Sequence, residues 1–141
     1  MSGISATMKE QAMRRAGNRC EYCGLSQLGQ EALFHVHHIM PLSERGATNL
    51  DNLVLSCVSC SFRKGVRFVA VDPLTGKTVP LFHPRTQGWH EHFAWSGVRV
   101  TGRSAIGRAT LQVLKLNRVL AQALRTEEVL QGRHPPPKPR R

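Results

Sequence analysis

Four cysteines, Cys20, Cys23, Cys57 and Cys60, stand as two Cys-x-x-Cys pairs with 33 residues between them, and the chain has no other cysteine. The N-terminal segment MSGISATMKEQAMRRAG lacks the apolar core of a secretory signal, so the expected setting is the cytoplasm, where thiols stay reduced. Two such pairs supply the four thiolates of a tetrahedral structural zinc site. A thiol redox protein would use one mobile pair, whereas here the pairing consumes every sulfur. A chain that must bring residues 20–23 against residues 57–60 has its topology constrained before any other element is considered.

Between the pairs lies FHVHHIMPLSERGATNLDNLVLSC, which places His35, His37 and His38 within four positions. Imidazole titrates near neutrality and suits a general base; it also ligates transition metals. Residues 33–38 read as a strand, and neighbours on a strand face opposite ways. His37 and His38 therefore take separate roles, one at a metal and one at water, while His35 shares the face of His37. Residues 39–52, with Pro41 and Gly46, read as a loop that Asn52 closes by bonding to backbone or imidazole. A second strand follows over residues 53–55. A short helix over residues 58–65 ends in Arg63, Lys64 and Gly65.

The flanks are less specific. Thr7 and Glu10 have capping-box spacing for a helix over residues 8–16, with Gly17 beyond its end. Residues 67–71 and 78–82 read as a hairpin around the turn DPLTGK, and GVRVTG as a further strand. His90 and His92 sit among aromatics, a setting that favours packing over ligation. Ser104 is expected to cap one long helix running to about Gln131, with Arg108, Lys115, Arg118 and Arg125 on its polar side. The ending HPPPKPRR is Pro-rich and basic, and is expected to be disordered. The fold expected is α+β: one domain over residues 1–133, with a core at about 8–66, a β/α extension at about 67–133, and a tail at 134–141.

Twenty Lys and Arg against nine Asp and Glu give a net charge of +11. That balance favours a polyanionic partner, since binding phosphates releases condensed counterions. No run of eighteen apolar residues is present, so no membrane span is expected.

The motifs CEYCG, VHHIMPLSERGATNLDNLVLSCVSC and RKG, in that order, resemble the HNH endonucleases of the ββα-metal class. The resemblance covers about residues 8–65. The later segments GVRFVAVDPLTGKTVPLFHPR, WHEHFAW and IGRATLQVL also resemble the continuation seen in one group of bacterial HNH proteins. It implies metal-dependent hydrolysis of DNA, double-stranded in the first instance with RNA left open, and no stated oligomeric state. His38 would be the general base and Asn52 the residue that orients it. His37 would be a ligand of the catalytic ion, as in the colicin-type nucleases. Arg45, Arg63 and Lys64 are candidate phosphate contacts. A structural zinc on the four cysteines and one catalytic divalent ion, Mn2+, Mg2+, Ni2+ or Zn2+, are implied. The family pattern ends on a histidine or asparagine ligand, and here that position is Ser61. Three outcomes stay open: Ser61 holds the ion directly or through water, His35 replaces the missing ligand, or the metal site is lost and a zinc-stabilised nucleic-acid-binding protein remains.

Overall fold

The computed structural model describes residues 3–138. Its centre is an antiparallel hairpin of β1 (His35–His38) and β2 (Leu53–Ser56), followed directly by α2 (Val58–Lys64). The register pairs His35 with Ser56, Val36 with Leu55, His37 with Val54 and His38 with Leu53. Leu53, Val54 and Leu55 are fully buried, so β2 is the inner strand and β1 carries its histidines on the outer edge.

α1 (Ala6–Arg15) packs on β2 through Ala12. Its cap is Ser5, whose hydroxyl accepts from the Met8 amide at 3.1 Å. Thr7, the expected cap, lies inside the first turn, because a serine two residues earlier already satisfies an orphan amide. From the last turn, Arg15 donates to the carbonyls of Leu50 at 2.7 Å and Leu53 at 2.8 Å, tying α1 to the start of β2.

Beyond α2 come two further hairpins. β3 (Val69–Val71) pairs with β4 (Thr78–Pro80), and β5 (Phe93–Ser96) pairs with β6 (Arg99–Gly102). A single helical turn, α3 (Trp89–His92), enters β5. His92 bonds Ser104 at 2.6 Å and lies against Phe82, while His90 packs on Trp89, so both serve packing as expected.

The one long C-terminal helix is instead two, α4 (Ala105–Val113) and α5 (Val119–Leu130). Leu114 and Leu116 are both fully buried, and residues two apart on a helix point about 200° away from each other. An unbroken helix could not bury both. The chain turns at Lys115, which has φ +48°, and Asn117 clamps β6 by accepting from the Val100 amide at 2.7 Å and donating to its carbonyl at 2.8 Å. The expected basic face dissolves with the helix. Arg125 is buried and donates to the carbonyls of Val98, Leu116 and Cys23. Arg108 forms a two-point ion pair with buried Asp72 at 2.9 Å.

The tail begins seated on the domain: His134 bonds the Gly97 carbonyl at 2.9 Å and packs edge-on against Trp95. Residues 139–141 of the tail lie outside the described residues. The four cysteines lie inside the main core with Tyr22, Leu25, Val54, Phe82, Phe93, Leu114 and Leu116. No described helix is long and apolar enough to cross a membrane.

Candidate functional site

The sulfurs come first because they fix the rest. All four cysteines are buried, and their Sγ atoms lie within 4.8 Å of one another. Cys23 and Cys57 approach to 3.7 Å, close to the ~3.8 Å between sulfurs of a tetrahedral site with Zn–S near 2.3 Å. Each pair forms the same turn: the Cys23 amide donates to Cys20 Sγ and the Cys60 amide to Cys57 Sγ, both at 3.4 Å. Gly24, with φ +79°, closes the first turn. Hydrogen bonds from the other three thiols hold Cys57 far below the ordinary thiol range, while burial pushes Cys20 well above it. So dense a group of sulfurs is at ease only with a cation in its midst. The donor set fits a structural zinc.

The first turn also grips the hairpin. The Glu21 amide donates to the Leu55 carbonyl, and the Leu55 amide donates to the Glu21 carboxylate, both at 2.9 Å. The same carboxylate pairs with Arg85, which reaches on to the Leu53 carbonyl at 3.4 Å. Cys57 caps α2 with its sulfur. The cysteine cluster thus sets both β2 and α2, the elements beside the histidines.

His37 Nε2 meets Ser56 Oγ at 2.7 Å. Burial first, then the charge of Lys64, lowers its pKa to about 4. His38 Nε2 meets Thr48 Oγ1 at 2.9 Å, and burial followed by Lys64 lowers its pKa as well. Among the described residues its Nδ1 makes no hydrogen bond. His37 and His38 both line one cleft of about 320 Å³ with Pro41, Leu42, Ser43, Gly65 and Val66.

Asn52 is nearly buried, and all its bonds go to backbone. Its Oδ1 accepts from the Met40 amide at 2.8 Å, and its Nδ2 donates to the carbonyls of Met40 at 2.9 Å and Ala47 at 2.8 Å. It therefore shapes the loop that carries Thr48 and leaves the imidazole of His38 to that residue. Gly46 belongs to the same knot: a Cβ there would stand 1.8 Å from the Met40 carbonyl oxygen, so no larger residue fits.

The remaining expected residues are dispersed. His35 is exposed, and its Nδ1 meets Ser61 Oγ at 3.0 Å. Among the described residues, the cysteines form the only group of three or more His, Cys, Asp or Glu at metal-ligand spacing. Arg45 is exposed with φ +64° at the end of a short turn. Arg63 donates to Ser59 at 3.2 Å. Lys64 points inward: it is 1% exposed and donates to the His38 carbonyl at 3.3 Å, and burial lowers its pKa to about 8. It adds positive potential beneath the cleft from inside the fold.

Sequence reasoning did not find Thr48, Ser56 or Glu21. Ser56 stands opposite His35 in the register, so a strand pairing would have offered it. Thr48 carries no local signal, because only the Asn52-braced loop returns it to His38.

Residues 20–67 match the family model described as HNH endonuclease. The chain carries an HNH domain. Its matched span runs from the first zinc-pair cysteine through β1, β2 and α2 to just past Gly65, so the HNH domain contains the zinc knuckle, all three histidines, Asn52 and Ser61. No curated protein and no solved structure matches the chain.

Proposed function

We propose that the protein is a metal-dependent endonuclease that hydrolyses phosphodiester bonds of DNA, with His38 as the general base. The observation that carries this reading is the state of His38 within the HNH domain. Its pKa is depressed, it lines the cleft, and one ring nitrogen is engaged by Thr48. With Nε2–H donating to Thr48 Oγ1, the lone pair falls on Nδ1, where it can take a proton from water. Thr48 engages Nε2 and so orients the ring, and Asn52 braces the loop that carries Thr48.

His37, Ser61 and His35 would be the residues to hold a catalytic divalent ion. When bound, that ion supplies positive charge to a phosphate oxygen and to the departing 3′ oxygen. A site with imidazole donors favours Mn2+, Ni2+ or Zn2+ over Mg2+. His38 then passes the proton it has gained to solvent. Arg45 and Arg63 are placed to meet neighbouring phosphates, and buried Lys64 contributes potential rather than contact. The net charge of +11 supports attraction to the backbone.

One observation favours a second reading, a zinc-stabilised nucleic-acid-binding protein. Ser61 is bonded to His35, and no cluster of three ionisable ligands stands at the histidines among the described residues. A panel of Mn2+, Mg2+, Ni2+ and Zn2+ against supercoiled plasmid separates the two. The nuclease reading expects nicked or linear product with at least one ion. DNA binding with no product under any ion selects the second reading.

A further inference from the structure

Phe62 is the most solvent-exposed Phe, Tyr or Trp side chain among the described residues, at 85%. It sits on α2 directly after Ser61, whose hydroxyl holds His35. Val66, 72% exposed, follows on the turn that closes α2 and lines the cleft with His37 and His38. Two arginines run alongside: Arg63 braces itself on Ser59 at 3.2 Å, and Arg67 donates to the Arg63 carbonyl at 3.0 Å. An apolar ring thus stands outward from a cationic rim, within one residue of the candidate site.

This placement has a geometric consequence that rests on the nuclease reading above. The seven residues of α2 span about 10 Å, less than the ~12 Å width of a major groove. A duplex whose phosphodiester lies at the histidines covers the whole helix. Phe62 cannot stay in water when that happens, and a benzene ring gains nothing against phosphate oxygens. Its favourable contact on DNA is with sugars and base faces. We infer that Phe62 is a wedge that inserts between base steps of the bound duplex, with Arg63 and Arg67 on the flanking phosphates. The residue then acts as a positioning residue: it unstacks and bends the DNA so that one phosphodiester enters the cleft. Pyrimidine–purine steps, the most easily unstacked, are its preferred sites. The apolar groove on the other side of Phe62, floored by Leu25, Phe34 and Leu124, offers an alternative occupant, a second protein surface. The arginine rim and a net charge of +11 favour the polyanion.

The experiment uses full-length protein carrying His38→Ala, so that bound DNA stays intact, and duplexes with one 2-aminopurine placed at successive TA and CA steps. Bound at its preferred step, the parent raises the 2-aminopurine fluorescence severalfold. Adding Phe62→Ala abolishes the rise and weakens binding about tenfold, with the salt dependence unchanged because no charge is lost. Phe62→Leu retains part of both effects. Arg63→Ala instead lowers the salt slope by about one. Zinc content and thermal midpoint stay at parental values in the Phe62 variants, since the ring packs against little. Equal fluorescence and affinity in Phe62→Ala overturn the wedge. So does a change from dimer to monomer in that variant with DNA binding untouched, which assigns Phe62 to a protein interface. The underlying nuclease reading fails separately: protein with His38 intact that unstacks DNA yet cleaves with no ion keeps the wedge and loses the hydrolysis. In cleavage-competent protein, Phe62→Ala should raise KM more than it lowers kcat.

Discussion

Asn52 holds Met40 by both backbone groups, accepting from its amide at 2.8 Å and donating to its carbonyl at 2.9 Å. This side chain substitutes for a strand partner at the point where β1 runs out, and it continues to the Ala47 carbonyl. The loop it closes delivers Thr48 to His38. In the proposed reading Asn52 would act on the base through the loop it braces rather than by touching the imidazole.

Asn52→Ala leaves a nearly buried amide and carbonyls without partners, and should cost roughly 2–4 kcal/mol of stability by chemical denaturation. Single-turnover cleavage should fall by at least about a hundredfold, because His38 loses its hydrogen bond to Thr48 along with the loop. Thr48→Val should keep the stability and lose a substantial share of the rate.

One zinc should be found per chain by elemental analysis. Replacing Cys23 or Cys57 by alanine, or stripping the metal with a chelator, should unfold β2 and α2 together. A ββα unit this small buries too little surface to persist without its staple. Circular dichroism with and without restored zinc reads the effect.

The pH behaviour follows from two depressed imidazoles and one buried ammonium. Below 6.5 the unfolded chain takes up a proton that folded His37 refuses until about 4, so its contribution to stability is intact above 6.5 and is lost as pH falls through that window. The activity should keep its plateau to below pH 6.5, since burial and Lys64 hold His38 neutral. Lys64→Met should move the acid limb toward higher pH. It should also stabilise the fold at pH 7 by roughly 1–3 kcal/mol, because burial holds Lys64 at about 8 and its charge is a cost there.

In the proposed site Ser61 would be a weaker ligand than the histidine or asparagine expected at that position. Ser61→His or Ser61→Asn should lower the Mn2+ concentration for half-maximal cleavage by about tenfold. Ser61→Ala should raise it and release His35 from its bond at 3.0 Å.

The elements around the cysteine cluster were legible because their signals are local. The two cysteine pairs, the histidine strand and the glycine that ends α2 each read from a handful of neighbouring residues, and the α+β fold with its HNH core followed. What escaped depended on distant partners. Leu116 fits the helical period of Ile106, Ala109 and Val113 on paper, and only the burial of Leu114 as well reveals the break at Lys115. Arg125 and Lys64 count as surface charge until the carbonyls of Cys23, Leu116 and His38 are seen beside them. Glu21, inside the first cysteine pair, carries no local signal of its own. It is the residue that joins the zinc knuckle to β2 and Arg85.

The central claim is that His38, set beside His37 over a shared cleft, activates water for phosphodiester hydrolysis. Single-turnover cleavage of supercoiled plasmid with Mn2+, comparing wild type with His38→Ala at equal zinc content and equal DNA affinity, tests it directly. The account predicts nicked or linear product from the wild type and a loss of at least about a thousandfold in the variant. Cleavage by His38→Ala at the wild-type rate would contradict it.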